Sequence, residues 1–167
     1  MSATFRLNLK VFDCDNGSEF LNWHLYRHFV NRKQPIQFTR SRAYKKNDNA
    51  HIEEKNWTHI RQYLGYQRFD KQELVQMLNA LYTTEWNWYF NFFIPSFKLI
   101  DKVRDGSKII KKHDQPKTPY QRVLASQDVP KTTKSRLKEE FKELNPSELQ
   151  RKMSQKIKAI IKKVNHN

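Results

Sequence analysis

Glycine is almost missing from this chain, with three in 167 residues. A loop that cradles phosphate needs glycines where backbone N–H groups close on the anion, so a Gly-rich nucleotide loop is excluded. Cysteine is scarcer still. Cys14 alone excludes an intrachain disulfide and a cysteine-based zinc site. The acids on either side of it, Asp13 and Asp15, disfavour a thiolate, which makes it a poor nucleophile. Long apolar runs are lacking as well. The most apolar window, Trp86–Phe97, is too short and too polar to span a bilayer. The opening M-S-A-T-F-R-L-N-L-K has no unbroken apolar core of a secretory signal. The histidines show no zinc-protease spacing, and His24 and His28, four apart on a helix, have no third ligand near them in sequence. A membrane role is not expected, and a reducing cytoplasm is.

Positive charge is what the chain has in excess: 32 Lys and Arg against 17 Asp and Glu, a net +15. The excess is uneven. Residues 1–95 carry 13 basic against 9 acidic side chains, and residues 96–167 carry 19 against 8. A field of that sign favours a polyanion, and nucleic acid is the commonest one. The blander reading is a solvated basic surface.

Phe5, Leu7, Leu9 and Val11 alternate with polar residues, the period of a half-buried strand. Asn16-Gly17 marks a turn, and Ser18 is placed to cap a helix from Glu19 to about Asn31, burying Phe20, Leu21, Leu25, His28 and Phe29. Ile36-Gln37-Phe38 reads as a second strand, followed by the basic loop Arg40–Lys46. Asp48 or Asn49 then caps a helix running to about Leu64, with Glu53 one turn in and Asn56 and Trp57 on its face. The order strand, helix, strand, helix predicts an α/β layer with a parallel strand pair.

Beyond Gly65, Asp70 is placed to cap a helix through Leu74, Leu78 and Leu81 that continues to Phe93 and stops at Pro95. Its aromatics, from Tyr82 to Phe93, sit at helical spacing and read as core rather than as base-stacking platforms. Ser96–Val103 and Ser107–Lys112 flank Arg104-Asp105-Gly106, a hairpin signal, with Phe97, Leu99 and Val103 expected on one side. Helices follow near Pro119–Ala125, Lys131–Leu144 and Ser147–Val164, the last basic and amphipathic with Ser147 as its cap. The expected boundary lies near Pro95. It separates an α/β part, residues 1–95, from a basic, mainly helical part with a β-hairpin, residues 96–167.

Two carboxylates stand out. Asp15 ends a strand and Glu53 lies on the helix after the next strand. In a parallel α/β layer, strand ends and adjacent helix starts converge, so two such acids can share a divalent metal. Oxygen ligands suit Mg²⁺. Asp13, two residues before Asp15, is a competing ligand.

The segment Asp13–Phe20, D-C-D-N-G-S-E-F, followed by Phe38–Tyr44 and by Asn47–Asn56, resembles the integrase catalytic core of bacterial insertion-sequence transposases. These are Asp-Asp-Glu recombinases, relatives of retroviral integrase with a ribonuclease H-like fold. Arg61–Arg68, Asn91–Ser96 and Lys117–Arg122 resemble one branch of them, so the likeness covers nearly the whole chain. D-N-G-S-E-F alone is moderately specific. With Asp-Asn-Ala-x-x-Glu after it, leaving 37 residues between Asp15 and Glu53, it is strong.

The resemblance implies a partial ribonuclease H-like layer. It places Asp15 at the family's second Asp and Glu53 at its Glu, both holding Mg²⁺ or Mn²⁺ to activate water or a 3′-hydroxyl for attack on a phosphodiester. Arg40, Arg42, Lys45, Lys46, Lys55, Asn56 and Arg61 would face DNA. It departs from the family in one respect: with 14 residues before Asp15, the strand bearing the first Asp has no counterpart. The expectation is therefore the C-terminal portion of a transposase core, inactive alone. Its partners would be DNA, and a full-length transposase or a second copy of the chain, in a bacterial cytoplasm. A non-catalytic nucleic-acid-binding remnant or modulator is the alternative, and an RNA-binding accessory protein a third reading.

Overall fold

A computed structural model describes residues 10–14, 22–42 and 53–165. It divides the chain into two compact units, Met1–Gln67 and Arg68–Asn167. The boundary expected near Pro95 falls inside the second unit, because the helices before it pack on helices after it.

In the first unit, β1 (Val11–Cys14) and β2 (Gln37–Arg40) pair in parallel, with α1 (Trp23–Val30) between them in sequence. The α/β expectation with a parallel pair holds. Phe12 lies opposite Phe38, and α1 covers that side of the sheet. The Phe12 ring stacks on Phe29 at 4.4 Å and on Phe38 at 5.6 Å. Cys14, Phe29 and Ile36 are buried. Two details differ from expectation. The cap of α1 is Asn22, whose side chain accepts from the Leu25 amide at 2.8 Å; Ser18 lies outside the described residues. His28 is exposed rather than buried, because Phe29 takes the inward position.

The helix α2 covers residues 53–64 and contains a π-helical turn, Trp57–Arg61. The Thr58 hydroxyl donates to the Glu54 carbonyl at 2.9 Å, the kind of back-bonding that bends helices. Leu64 is buried, and Gly65 ends the helix at φ 70. The expected caps Asp48 and Asn49 lie outside the described residues.

The second unit is built on helices. α3 (Gln72–Leu81) continues through a π-helical turn, Tyr82–Trp86, into α4 (Asn87–Phe92). Asp70 does not cap α3: it pairs with Arg68 at 2.9 Å, and Lys71 holds the cap position without a side-chain bond. At the π-turn, Thr83 and Thr84 donate to the carbonyls of Asn79 and Ala80 at 2.7 and 2.6 Å, and Thr84 leaves helical geometry at φ −116, ψ −105. After a hairpin, β3 (Leu99–Asp105) and β4 (Lys108–His113), come α5 (Pro119–Ala125), α6 (Lys131–Lys142) and α7 (Pro146–Asn165).

α7 is the keel of this unit. Leu149, Met153, Ile157 and Ile160 recur at helical spacing and are buried, and α3, the π-turn and α4 pack against the helix. Its cap is Asn145, whose side-chain oxygen accepts from the amides of Ser147 and Glu148. Ser147, the expected cap, sits inside the first turn because Pro146 already opens the helix. The aromatic segment is core in part: Trp86 and Phe92 are buried, while Tyr82, Trp88, Tyr89, Phe90 and Phe93 are half-buried. Phe92, Tyr120 and Phe141 form a ring cluster with centroids 4.9 to 6.2 Å apart.

Inside this core, burial raises the pKa of Glu85, but hydrogen bonds from the Lys156 ammonium at 2.5 Å and from the Thr84 hydroxyl outweigh it and hold the carboxyl below its usual value. The pair ties the π-turn to α7. No helix among the described residues is long and apolar enough to cross a membrane.

Candidate nucleic-acid interface

The hairpin forms because Gly106 reaches φ 59 at the first of two loop residues, the backbone a primed turn requires. Asp105 faces Lys108 across that loop. Both strands are exposed on both faces along their whole length. Leu99, Ile100, Val103, Ile109 and Ile110 are 50% to 62% exposed, so the ribbon contributes no core of its own. A two-stranded ribbon of this kind is marginal unless something holds it.

Its root is held. The Asp114 carboxylate accepts from the Lys98 amide at 2.7 Å and from the Arg122 guanidinium at 2.5 and 3.2 Å. Arg122 also donates to the Ser96 carbonyl at 2.7 Å, and Ser96 bridges to Lys117 through the backbone. The Arg122 hydrogen bonds, then the Lys98 amide, bring the Asp114 carboxyl down to about 2. Arg122 stands on α5, which the Thr118–Gln121 capping box and Pro119 start firmly. The clamp therefore fixes the ribbon to the helical body at one end and leaves the other end in solvent.

Six cations line the ribbon (Lys98, Lys102, Arg104, Lys108, Lys111 and Lys112) against two acids, Asp101 and Asp105. Among the described residues none of the six takes part in an ion pair. The contrast with α7 is sharp: there Lys152, Lys156 and Lys163 pair with Glu148, Glu85 and Glu73. One expectation for the hairpin fails in detail. A register shift between Leu99 and Asp101 adds a residue to β3, which puts Leu99 and Val103 on opposite faces.

The residues assigned by resemblance all belong to the first unit. Asp15, Lys45 and Lys46 lie outside the described residues. Glu53, Lys55 and Asn56 are exposed on the first turn of α2. Arg40, at the end of β2, and Arg42, just after it, are exposed. Arg61 is committed locally: it donates to the Gly65 carbonyl at 3.3 Å and its guanidinium lies 4.7 Å from the Tyr66 ring centre. His59, one turn beyond Lys55, has its pKa lowered by partial burial and then by the Lys55 charge. Asp13, the competing ligand, accepts from the Thr39 hydroxyl at 2.7 Å on the side of the sheet away from α1. Among the described residues no three His, Cys, Asp or Glu side chains gather as metal ligands.

Sequence reasoning missed the Asp114–Arg122 clamp. Its signal was thin, an Arg one turn into a Thr-Pro-capped helix with an acid eight residues before it.

No protein-family profile matches the chain, and no solved structure matches it. Over 120 residues it is 39% identical to the uncharacterized protein y4rM of Sinorhizobium fredii, a match covering 72% of this chain and 33% of that protein. The chain thus spans about a third of the length of the curated relative it matches.

Proposed function

We propose that this chain is a DNA-binding protein of the integrase/transposase-core type, acting in DNA integration or transposition. The observation that carries the DNA-binding half is the ribbon: six cations without ion-pair partners among the described residues, held out from the body by a clamp at its root. Carboxylates would ordinarily neutralise such a density of charge. Where they do not, phosphates are the fitting counterions. The parallel β1–β2 pair covered by α1 supports a ribonuclease H-like layer, and D-N-G-S-E-F with Asp-Asn-Ala-x-x-Glu supports the recombinase class.

In that reading the side chains of Asp15 and Glu53 would hold Mg²⁺ or Mn²⁺, and the ion would supply Lewis-acid activation of a water or a 3′-hydroxyl. Of these two ligands the described residues include Glu53, whose solvent-facing carboxylate suits a hard cation. Lys55 and Asn56, beside it on α2, bind and orient phosphate, and Arg40 and Arg42 extend the basic margin. The second reading, a non-catalytic DNA binder, is favoured by the same ribbon, which needs neither Asp15 nor Glu53.

The test is fluorescence anisotropy of duplex DNA with the full chain across a salt series, with Mg²⁺-dependent nicking followed in the same tubes. Binding that weakens steeply with salt is expected, and absence of binding at low salt overturns the proposal. Nicking lost in both Asp15→Asn and Glu53→Gln selects the recombinase reading; binding with no nicking selects the non-catalytic one.

A further inference from the structure

The hairpin is not uniformly charged, and its asymmetry follows from register. Residues paired directly across an antiparallel ribbon share a face, and faces alternate along each strand. The pairs Asp101–Lys112, Val103–Ile110 and Asp105–Lys108 form one face. It holds two lysines and two aspartates and is neutral overall. The pairs Lys102–Lys111 and Arg104–Ile109 form the other. That face holds three cations and no acid.

Lys102 directly opposite Lys111 is the informative pair. Like charges facing each other across a ladder destabilise it, and a hairpin exposed on both sides has no buried core to offset the cost. The arrangement becomes favourable once an anion lies over the face. We propose that the Lys102–Arg104–Ile109–Lys111 face of the ribbon is the surface laid on duplex DNA, and that the Asp101–Asp105 face points away from it. This rests on the DNA-binding reading above and adds which side of the ribbon does the binding.

Duplex DNA fits better than other polyanions. The major groove of B-form DNA admits a two-stranded ribbon, whereas the major groove of A-form RNA is too deep and narrow for side chains to read. At roughly 3.4 Å per residue, the seven residues of β3 extend roughly 20 Å, enough to cross that groove. Lys102, Lys111 and Arg104 then reach phosphates on its edges, while Ile109 offers an apolar contact to the groove floor, where thymine methyls lie.

The experiment compares the salt dependence of duplex binding for three full-length proteins: the wild type, Lys102→Ala/Arg104→Ala/Lys111→Ala, and Lys108→Ala/Lys112→Ala. The face-specific triple variant is expected to flatten the slope of log affinity against log salt by about three, one for each phosphate left without its cation. The opposite-face double variant is expected to change it by less than about one. Equal loss per charge from both faces overturns the inference while the DNA-binding reading stands. Absence of wild-type binding removes that reading itself. Tighter binding to double-stranded RNA than to duplex DNA also overturns the inference. The triple variant relieves the Lys102–Lys111 repulsion, so its Tm is expected to equal or exceed the wild type. Should it misfold, Lys102→Gln/Lys111→Gln, which keeps side-chain length, supplies the same comparison with an expected flattening of about two.

Discussion

α7 and the β3–β4 ribbon are made of nearly the same residues and come to opposite ends. Lys156-Ile157-Lys158 and Ile160-Ile161-Lys162-Lys163 in α7 match Lys108-Ile109-Ile110-Lys111-Lys112 in β4 for composition. In α7 the helical period gathers the apolar residues into one stripe, and Ile160 is fully buried. In the ribbon the period of two spreads them over both faces, and every one stays in water. The lysines diverge too. Three of those on α7 meet carboxylates, and the ribbon's meet none among the described residues. Composition therefore does not decide whether a basic, apolar segment becomes scaffold or surface. Periodicity and the nearness of acids do.

The comparison breaks most visibly in stability. Ile160→Ala is expected to lower unfolding free energy by about 3 kcal/mol, the transfer and cavity cost of a buried aliphatic side chain. Ile110→Ala on the ribbon should change it by less than about 0.5 kcal/mol. Urea unfolding of both variants measures this, and similar losses would mean the ribbon is part of the core.

Next in size is the Glu85–Lys156 pair. Removing one member of a fully buried pair costs about 3–5 kcal/mol. The Lys156 side chain is 40% exposed and partly screened by water, so Glu85→Ala should cost about 2 kcal/mol. Urea unfolding reads this change as well.

Gly106→Ala sharpens the other side of the comparison. A Cβ there meets nothing within 4 Å, so the penalty is that of a left-handed backbone alone, about 1 kcal/mol, confined to the hairpin. Amide exchange should rise in Leu99–His113 and stay unchanged in α7.

The smallest effect is visible only in acid. The folded value of Asp114, about 2, lies below its ordinary 3.8. Its contribution is therefore complete above about pH 4 and is lost as pH falls through about 2. Between those limits the Lys98 amide should lose protection in the wild type. Asp114→Asn should show low protection at every pH.

Much of this architecture is legible in the sequence because its signals are local. The strand at Ile36–Phe38, the Asp-Gly turn and the Thr-Pro-x-Gln start of α5 each lie within a few residues. The alternation ending at Val11 misplaces the buried face, since Val11 is exposed and Phe12 and Cys14 turn inward; Phe5, Leu7 and Leu9 lie outside the described residues. Caps are ambiguous where backbone geometry overrides side-chain preference. Ser147 yields to Asn145 as acceptor, and Asp70 yields the cap position to Lys71, which has no acceptor to offer. The π-turns carry a faint mark in Thr58 and Thr83-Thr84, whose hydroxyls take helical carbonyls. Contacts such as Glu85 with Lys156, 71 residues apart, have no local trace. The cationic character of the ribbon is legible. Its division into a neutral and a cationic face is not legible from composition, because it depends on the cross-strand register that the two-residue loop between Asp105 and Lys108 sets.

The most direct test is an amide and methyl NMR titration of the full chain with duplex DNA at moderate salt. Shifts are expected to concentrate in Lys102, Arg104, Ile109 and Lys111, with α7 unaffected. Shifts centred on Lys158 and Lys162 of α7, with the ribbon silent, would contradict this expectation.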